Sequence, residues 1–450
     1  MSYLPHTQAD REHMLEVVGV PSVEDLFASI PPALRLGRDL CLPEALTEHD
    51  LLEHLGQMAS RNQEATRSSF LGAGAYQHFV PTLVETVTSR SEFLTAYTPY
   101  QAEASQGTLQ AIFEFQTMIC RLTGMDVANA SVYDGGTAAT DAVLMALAQT
   151  RRPKVLVSRG VHPHTRGILA TYLAAGGGVV EEIPLRDGRT EIPQVGSDVA
   201  AVVIQVPNFL GQVEDGPALC QAARQAGALA IVAVNDPVSL AVLEAPGAYG
   251  ADLVCGEAQP VGLPLSFGGP YVGFLAARKD LLRRMPGRLV GLTADGQGRR
   301  GFCLTLQARE QHIRREKASS NICSNQGLCA LAVTVHLALL GPEGLRRAAL
   351  GSMSSAAYAA GRLAQVPGFS LVFSGPGFHE FVLRCPVPPE QLLQGLAERG
   401  ILGGYALGRD YPELADSLLV CCTELNRRQD VEGLALELEA LVQASVEVTP

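Results

Sequence analysis

The sequence predicts an α/β protein: a mostly parallel sheet covered by helices on both faces, followed by a small α+β domain. Two patterns carry this. Between about residues 71 and 300, short apolar runs alternate with helical stretches such as "GPALCQAARQAG" (216–227). The runs are "KVLVS" (154–158), "GVVEEIPL" (178–185), "VAAVVIQVP" (199–207), "ALAIVAVND" (228–236), "ADLVCGE" (251–257) and "YVGFLAAR" (271–278). Near-continuous apolar strands separated by helices are the mark of strands buried on both faces. From about residue 335 the order becomes helix, strand, helix, strand, helix. It includes "FSLVFSG" (369–375), "EFVLRC" (380–385), "PPEQLLQGLAERG" (388–400), "SLLVCCTE" (417–424) and "RRQDVEGLALELEALVQA" (427–444).

Residues 1–70 show short amphipathic pieces and no strand pattern, so they are expected to form a helical arm. Ser22 and Thr47 stand where helix N-caps would, each followed by acidic residues in the first turn. The expected divisions are then 1–70 for the arm, 71–330 for the large domain and 331–450 for the small one.

A chain of 450 residues with 47% apolar residues buries a sizeable core. The longest apolar stretches are of core-strand length, which predicts no membrane span. The N-terminus lacks a basic end followed by an apolar block, so a cytoplasmic protein is expected. The net charge of −12 argues against nucleic acid as a partner, because phosphate binding needs clustered Lys and Arg. The ten cysteines form no CxxC pair, so no disulfide framework is expected. Cys421 and Cys422 read as packing residues of a buried strand. His162 and His164 lack a third and fourth ligand at a usable spacing, and no metal is predicted.

Four segments could carry chemistry. Gly135 and Gly136 precede an Ala-rich helix that starts near Thr137, a turn that suits a phosphate but also opens many helices that bind nothing. Asp134 beside them makes an anion less welcome. Asp236 ends a strand, where a carboxylate suits either a pyridinium nitrogen or the turn before Pro237. The loop "YTPYQAEASQG" (97–107) concentrates Tyr97, Tyr100, Gln101, Glu103, Ser105 and Gln106 ahead of a helix with one buried side. Such density suits a site or an interface. The segment "QHIRREKASSNICSNQG" (311–327) carries Arg314, Arg315, Lys317 and Asn321, as an anion contact or a solvated helix face. No GxGxxG follows an early strand, which excludes a Rossmann dehydrogenase.

The opening "YLPHTQADREHMLEVVGVPSVEDLF", the loop and helix from Tyr97 onward, and "REKASSNICSNQ" (315–326) resemble signature segments of the glycine decarboxylase family, the P-proteins of the glycine cleavage system. The likeness runs from residue 3 to at least residue 330. It implies a fold-type-I pyridoxal-phosphate transferase architecture. It also implies an oxidoreductase complex in which glycine loses its carboxylate and the aminomethyl group passes to the lipoyl arm of the H-protein. Length and motif order are similar to the first of the two chains found where the enzyme is split.

In split members the resemblance places the cofactor lysine on the second chain. Aligned on "GGP" (268–270), this chain has Gln259 near the lysine's place. Its three lysines are Lys154, which opens a strand, Lys279, which follows one, and Lys317 in the polar segment. None has the desolvated strand-end setting that a Schiff-base lysine needs.

The resemblance therefore implies a subunit without covalent pyridoxal phosphate, paired with a cofactor-bearing subunit 2 in an α2β2 heterotetramer that also meets the lipoylated H-protein and glycine. The clustering of polar groups in a chain without the lysine predicts that Tyr97, Tyr100, Gln101, Glu103, Ser105 and Gln106 line the partner's site or buttress its edge, with Lys317 and Asn321 as an anion contact. Gly135, Gly136, Asp236 and Gln259 are then vestigial. The competing readings are a purely structural or regulatory subunit, and a self-sufficient enzyme using Lys317.

Overall fold

The computed structural model describes residues 5–64, 68–318 and 320–447, and the chain divides into two units, Met1–Arg61 and Asn62–Pro450. The first unit is helical, as its lack of strand pattern implies. Its helix α1 (Gln8–Val18) is closed at the start by a reciprocal capping box between Thr7 and Asp10, and ends at Gly19 in the left-handed region, φ 81°. Thr47 caps α2 (Glu48–Glu64), its hydroxyl accepting from the Asp50 N–H at 3.2 Å. Ser22 takes the N-cap position of a shorter helix but makes no side-chain capping bond. Its hydroxyl donates to the Asp25 carboxylate at 2.5 Å, and only a 3₁₀ turn follows at Val23–Phe27. Helix α1 buries no residue, so the arm makes little core of its own.

The larger unit holds a seven-stranded sheet. Its strands are β1 (Val127–Ala128), β2 (Lys154–Ser158), β3 (Val179–Ile183), β4 (Val199–Gln205), β5 (Leu229–Val234), β6 (Leu253–Glu257) and β7 (Gly273–Ala277). The spatial order is β1-β7-β6-β5-β4-β2-β3. Strands β3, β2, β4, β5 and β6 are parallel, and β7 pairs antiparallel with both β6 and β1.

The apolar runs are continuous because each strand feeds two cores. In β5, Ala230, Val232 and Val234 pack on one face, while Ile231 and Ala233 pack on the other. The first core receives Phe115 and Ile119 of α4 (Gln106–Thr123) and Leu219 and Ala223 of α7 (Gly216–Gln225). The second receives the alanines of α5 (Gly135–Thr150) and Leu169 and Leu173 of α6 (Pro163–Gly176). Each fully buried Val or Leu contributes about 1.5–3 kcal/mol of transfer free energy. The remaining labelled helix before α4 is α3 (Thr82–Thr88).

Two features lie outside the expected pattern. A hairpin of β8 (Val290–Ala294) and β9 (Arg300–Leu304) follows the sheet. Also, α8 (Gly327–Leu363) is long and apolar enough, by length and composition, to cross a membrane. Half of its most apolar window is buried in the protein, and it breaks at Gly341 (φ 59°) ahead of Pro342, where the ring cannot continue the preceding turn. It reads as a kinked core helix.

The small sheet has the order β10-β11-β13-β12, from β10 (Ser370–Leu371), β11 (Glu380–Arg384), β12 (Tyr405–Ala406) and β13 (Ser417–Cys421), all antiparallel. Helices α9 (Pro389–Ala397) and α10 (Arg428–Glu447) pack on it with the end of α8. Cys421 and Cys422 are buried there, as packing residues.

The close approach of β5 and β6 gives a direct test. A Cβ on Gly256 would lie 1.8 Å from the Val234 carbonyl oxygen, a backbone atom that cannot rotate away. Gly256→Ala is expected to destabilise the protein by about 1–3 kcal/mol or more. Gly167→Ala, exposed within α6 with open space around it, should stabilise by up to ~1 kcal/mol. Urea unfolding of both variants checks the contrast.

Candidate functional site

The carboxyl ends of the parallel strands surround a cleft of about 530 Å³, where ligands of open α/β sheets bind. Its walls include His162 after β2, Phe209 after β4, Asn235 after β5, Glu257 at the end of β6, and Gly135 and Gly136 at the start of α5. At and beneath the cleft, three polar positions engage groups of the chain itself: the start of α5, Gln259 and Asp236.

The helix start comes first. The sequence predicts free backbone N–H groups at Gly135 and Gly136, but Gly135 donates to Glu257 Oε2 at 3.1 Å and Thr137 donates to Asp134 Oδ1 at 2.8 Å. Asp134 is the helix N-cap, in a capping box with Thr137. Glu257 also accepts from the Gln259 and Val272 N–H groups, at 3.0 and 3.1 Å. Burial pushes its carboxyl up to about 7, against the pull of those three donors. A carboxylate therefore sits in the anion seat.

The position that the resemblance sets near the lysine comes second. Gln259 is fully buried in the turn after β6. Its oxygen accepts from the Tyr76 N–H at 3.0 Å, and its nitrogen donates to the carbonyls of Tyr76 and Leu263, each at 2.8 Å. An amide nitrogen so committed cannot act as a nucleophile.

The ring's partner comes third. Asp236 caps the turn at Val238 through Oδ1, 2.9 Å, as the turn reading predicts. Its Oδ2 lies 3.0 Å from His78 Nε2 and 2.8 Å from His379 Nε2. The other nitrogen of His78 is 2.7 Å from Glu424. Burial pulls the His78 pKa down, but Asp236 and Glu424 outweigh it and raise it to about 10. For Asp236 burial pulls upward, and the two histidines more than reverse this, holding it below the usual carboxylate range. The residues present do not fit pyridoxal phosphate in this cleft.

One loop supplies many of these partners. The Ala73 carbonyl accepts from His162 Nε2 at 2.9 Å, Tyr76 grips Gln259, and His78 meets Asp236. Glu380 anchors the loop by accepting from the Ala73 N–H and the Tyr76 hydroxyl, at 2.7 and 2.9 Å. Sequence reasoning missed Tyr76, His78, His379, Glu380 and Glu424, which stand in no pattern. Glu257 carried a signal, being two residues from Gln259.

The tyrosine loop lies elsewhere. Tyr97 is 90% exposed and, with Tyr100, lines a hollow of about 280 Å³ with Asn325 and Leu328. Tyr100 donates to Asn325 Oδ1 at 2.6 Å and has the Arg288 guanidinium 4.1 Å above its ring. Gln106 clamps both the N–H and the carbonyl of Phe302 in β9, at 2.8 Å each. Gln101 and Glu103 are exposed, and Ser105 precedes α4 without a capping bond. Lys317 is exposed on a 3₁₀ turn, and Asn321 lines a different hollow of about 140 Å³ with Tyr133 and Asp141. The structure thus joins Tyr97 and Tyr100 to Asn325 and leaves Lys317 and Asn321 apart from that hollow.

The strand order, with the cleft at its carboxyl edge and Asp236 and Gln259 at their turns, defines the fold-type-I class of pyridoxal-phosphate-dependent enzymes. Mouse CSAD shares this fold, with a TM-score of 0.67 and 16% identity over 93% of this chain and 92% of that one. Much nearer is a crystal structure of glycine decarboxylase (P-protein) of the glycine cleavage system in inhibitor-bound form. It has a TM-score of 0.88 and 49% identity over 98% of this chain and 100% of that one. The family profile of the glycine cleavage system P-protein matches residues 1–438. A probable glycine dehydrogenase (decarboxylating) subunit 1 from Moorella thermoacetica is 52% identical, covering 98% of this chain and 100% of its own. One from Desulfitobacterium hafniense is 50% identical, covering 96% and 98%. The chain belongs to the glycine cleavage system P-protein family, among the subunit 1 chains of glycine dehydrogenase (decarboxylating), an oxidoreductase.

Asp141, beside Asn321, tests the electrostatics of this region. It is buried within α5, and burial raises its carboxyl to about 7 against a hydrogen bond from Ser320. The folded chain holds this proton more tightly than the unfolded one. Stability is therefore lost as pH rises from the ordinary value of 3.8 through about 7. Asp141→Asn should remove that loss, so its stability gain over wild type is near zero at pH 4 and largest above pH ~8. Melts across the range check the sign.

Proposed function

We propose that this chain is the subunit of glycine decarboxylase that carries no cofactor, working as one half of an α2β2 heterotetramer. Its partner subunit holds pyridoxal phosphate, which when bound supplies the electron sink for loss of the glycine carboxylate. The aminomethyl group then leaves for the lipoyl arm of the H-protein. The observation that carries this reading is Gln259. It is fully buried near the place that the resemblance gives the lysine, and its amide is spent on Tyr76 and Leu263. Glu257 at the start of α5 supports it independently. The printed names of the relatives, each a subunit 1, support the existence of a second subunit.

On this reading the exposed Tyr97 and the hollow beside it form the edge lent to the partner's site, orienting substrate and excluding water there. Tyr100 and Asn325 hold that edge through their 2.6 Å hydrogen bond, and Arg288 supports it through its ion pair with Glu310 at 2.9 Å. Gln106 acts as a brace for β9, and Gln101, Glu103 and Ser105 complete the rim. Lys317 and Asn321 remain candidates for an anion contact at a more distant surface. The cysteines are all free among the described residues, including exposed Cys41 and Cys323, which supports a reducing, cytoplasmic setting.

The second reading, a purely structural or regulatory subunit, draws on the fact that Tyr100 and Gln106 already satisfy partners within this chain. Tyr97 separates the two. In the co-expressed complex, Tyr97→Ala is expected to slow glycine decarboxylation about tenfold, or ~1.4 kcal/mol of barrier, with an unchanged melting temperature. An unchanged rate favours the structural reading. Cofactor absorbance is expected in the complex and absent from this chain alone. It should stay absent in Gln259→Lys, because Glu257 still takes the Gly135 N–H and His78 still pairs with Asp236. Absorbance in the isolated wild-type chain would overturn the proposal.

A further inference from the structure

We infer that His78, Asp236 and His379 form a binding site for a divalent transition-metal ion, best suited to zinc, at the end of β5 beneath the cleft. The inference is independent of the proposed function. The two imidazoles converge on one oxygen, with His78 Nε2 at 3.0 Å and His379 Nε2 at 2.8 Å from Asp236 Oδ2. All three ligand atoms lie within 4.8 Å of one another. A tetrahedral ion about 2.0–2.2 Å from each donor spaces its donors roughly 3.3 Å apart. Small side-chain shifts reach that geometry.

Three observations point to an ion rather than to hydrogen bonding alone. His379 Nε2 is buried with no hydrogen-bond partner, although Asp236 is 2.8 Å away, so its in-plane direction misses the carboxylate. A buried ring nitrogen without a partner calls for an explanation, and an ion supplies one. The two imidazole planes lie within 17° of parallel, with centroids 6.2 Å apart, and His379 is wedged between Tyr76 and Phe378 at 4.5 Å each. Packing thus holds the His379 ring, and hydrogen bonds to Glu424 and Asp236 hold that of His78.

The orienting shell is also in place. His78 Nδ1 is 2.7 Å from Glu424. That carboxylate is fixed in turn by the Phe79 N–H at 2.8 Å and the Ser352 hydroxyl at 3.1 Å. A carboxylate behind a ligating imidazole is the usual support of a metal-bound histidine.

Charge and donor type narrow the occupant. Asp236 and Glu424 place two carboxylates around His78, a setting that attracts a cation. Two nitrogens and one oxygen favour zinc over magnesium or calcium, which take oxygen ligands. The ligands come from the loop before α3, the end of β5 and the entry to β11. An ion here would tie the small sheet to the large one, which is a structural role.

The test uses the wild-type chain co-expressed with its partner, stripped with chelator and titrated with Co²⁺ and Zn²⁺ alone. Expected are the visible bands of tetrahedral cobalt at one ion per chain, displaced by zinc, and a higher melting temperature with zinc. His379→Gln should abolish the bands, and Glu424→Gln should weaken cobalt binding about 10–100-fold. His49→Gln, exposed on α2 of the first unit, should leave binding unchanged. Absence of bands and of a zinc-dependent shift in the wild type overturns the inference without any variant. Bands that persist in His379→Gln overturn it as well.

Discussion

The loop from Ala73 to Phe79 lies across the turns that follow β5 and β6, held by groups that a cofactor site would leave free. The Gln259 amide takes both the N–H and the carbonyl of Tyr76. These are buried polar groups, and leaving any one of them without a partner costs about 1–3 kcal/mol. The turn after β6 and the loop therefore specify each other. With the loop seated, Tyr76 reaches Glu380 at the start of β11 and His78 reaches Asp236. The small sheet, the large sheet and the cleft share one buried polar network, and a change at any member is felt at the others.

The network is charged as well as polar. Asp236 is almost wholly buried, and such a carboxylate survives only beside positive charge. In a cofactor-bearing relative of this fold the ring nitrogen can play that part. Here the imidazole of His78 does, its pKa raised to about 10 by Asp236 and Glu424 in spite of burial. A metal ion at the same three ligands would answer the same electrostatic demand. The anion seat follows the mirror logic. The start of α5 attracts negative charge, and Glu257 provides it from within.

The parts of this arrangement that repeat along the chain were legible in the sequence. The strands could be read because burial on both faces leaves runs such as "VAAVVIQ" almost free of polar residues. Gln259 could be read because one position in a known turn had changed type. The hairpin β8–β9 escaped because most of its residues are exposed or half-buried, so no strict alternation marks it. Ser22 makes no capping bond because its hydroxyl found the Asp25 side chain before any backbone N–H. The polar network beneath the cleft was invisible for a different reason. His78, Asp236 and His379 are joined across intervals of more than a hundred residues, and no spacing rule describes such a contact. The motif reading of His162 and His164 looked for ligands close in sequence, whereas the convergent histidines come from separate elements.

The same shared contacts decide what a lysine at position 259 would meet. A lysine at 259 would still donate to the carbonyls of Tyr76 and Leu263, but it has no acceptor for the Tyr76 N–H that Gln259 now satisfies. The loop would have to leave, and with it His78, uncovering the charge of Asp236. Glu257 would still stand at the Gly135 N–H, where its carboxylate repels any phosphate. These contacts share partners, so their costs do not add as independent terms. The original fold is retained because its turns and helix starts still need polar partners. Once the chain supplies those partners itself, the floor of the cleft becomes part of the buried network that joins the large and small sheets.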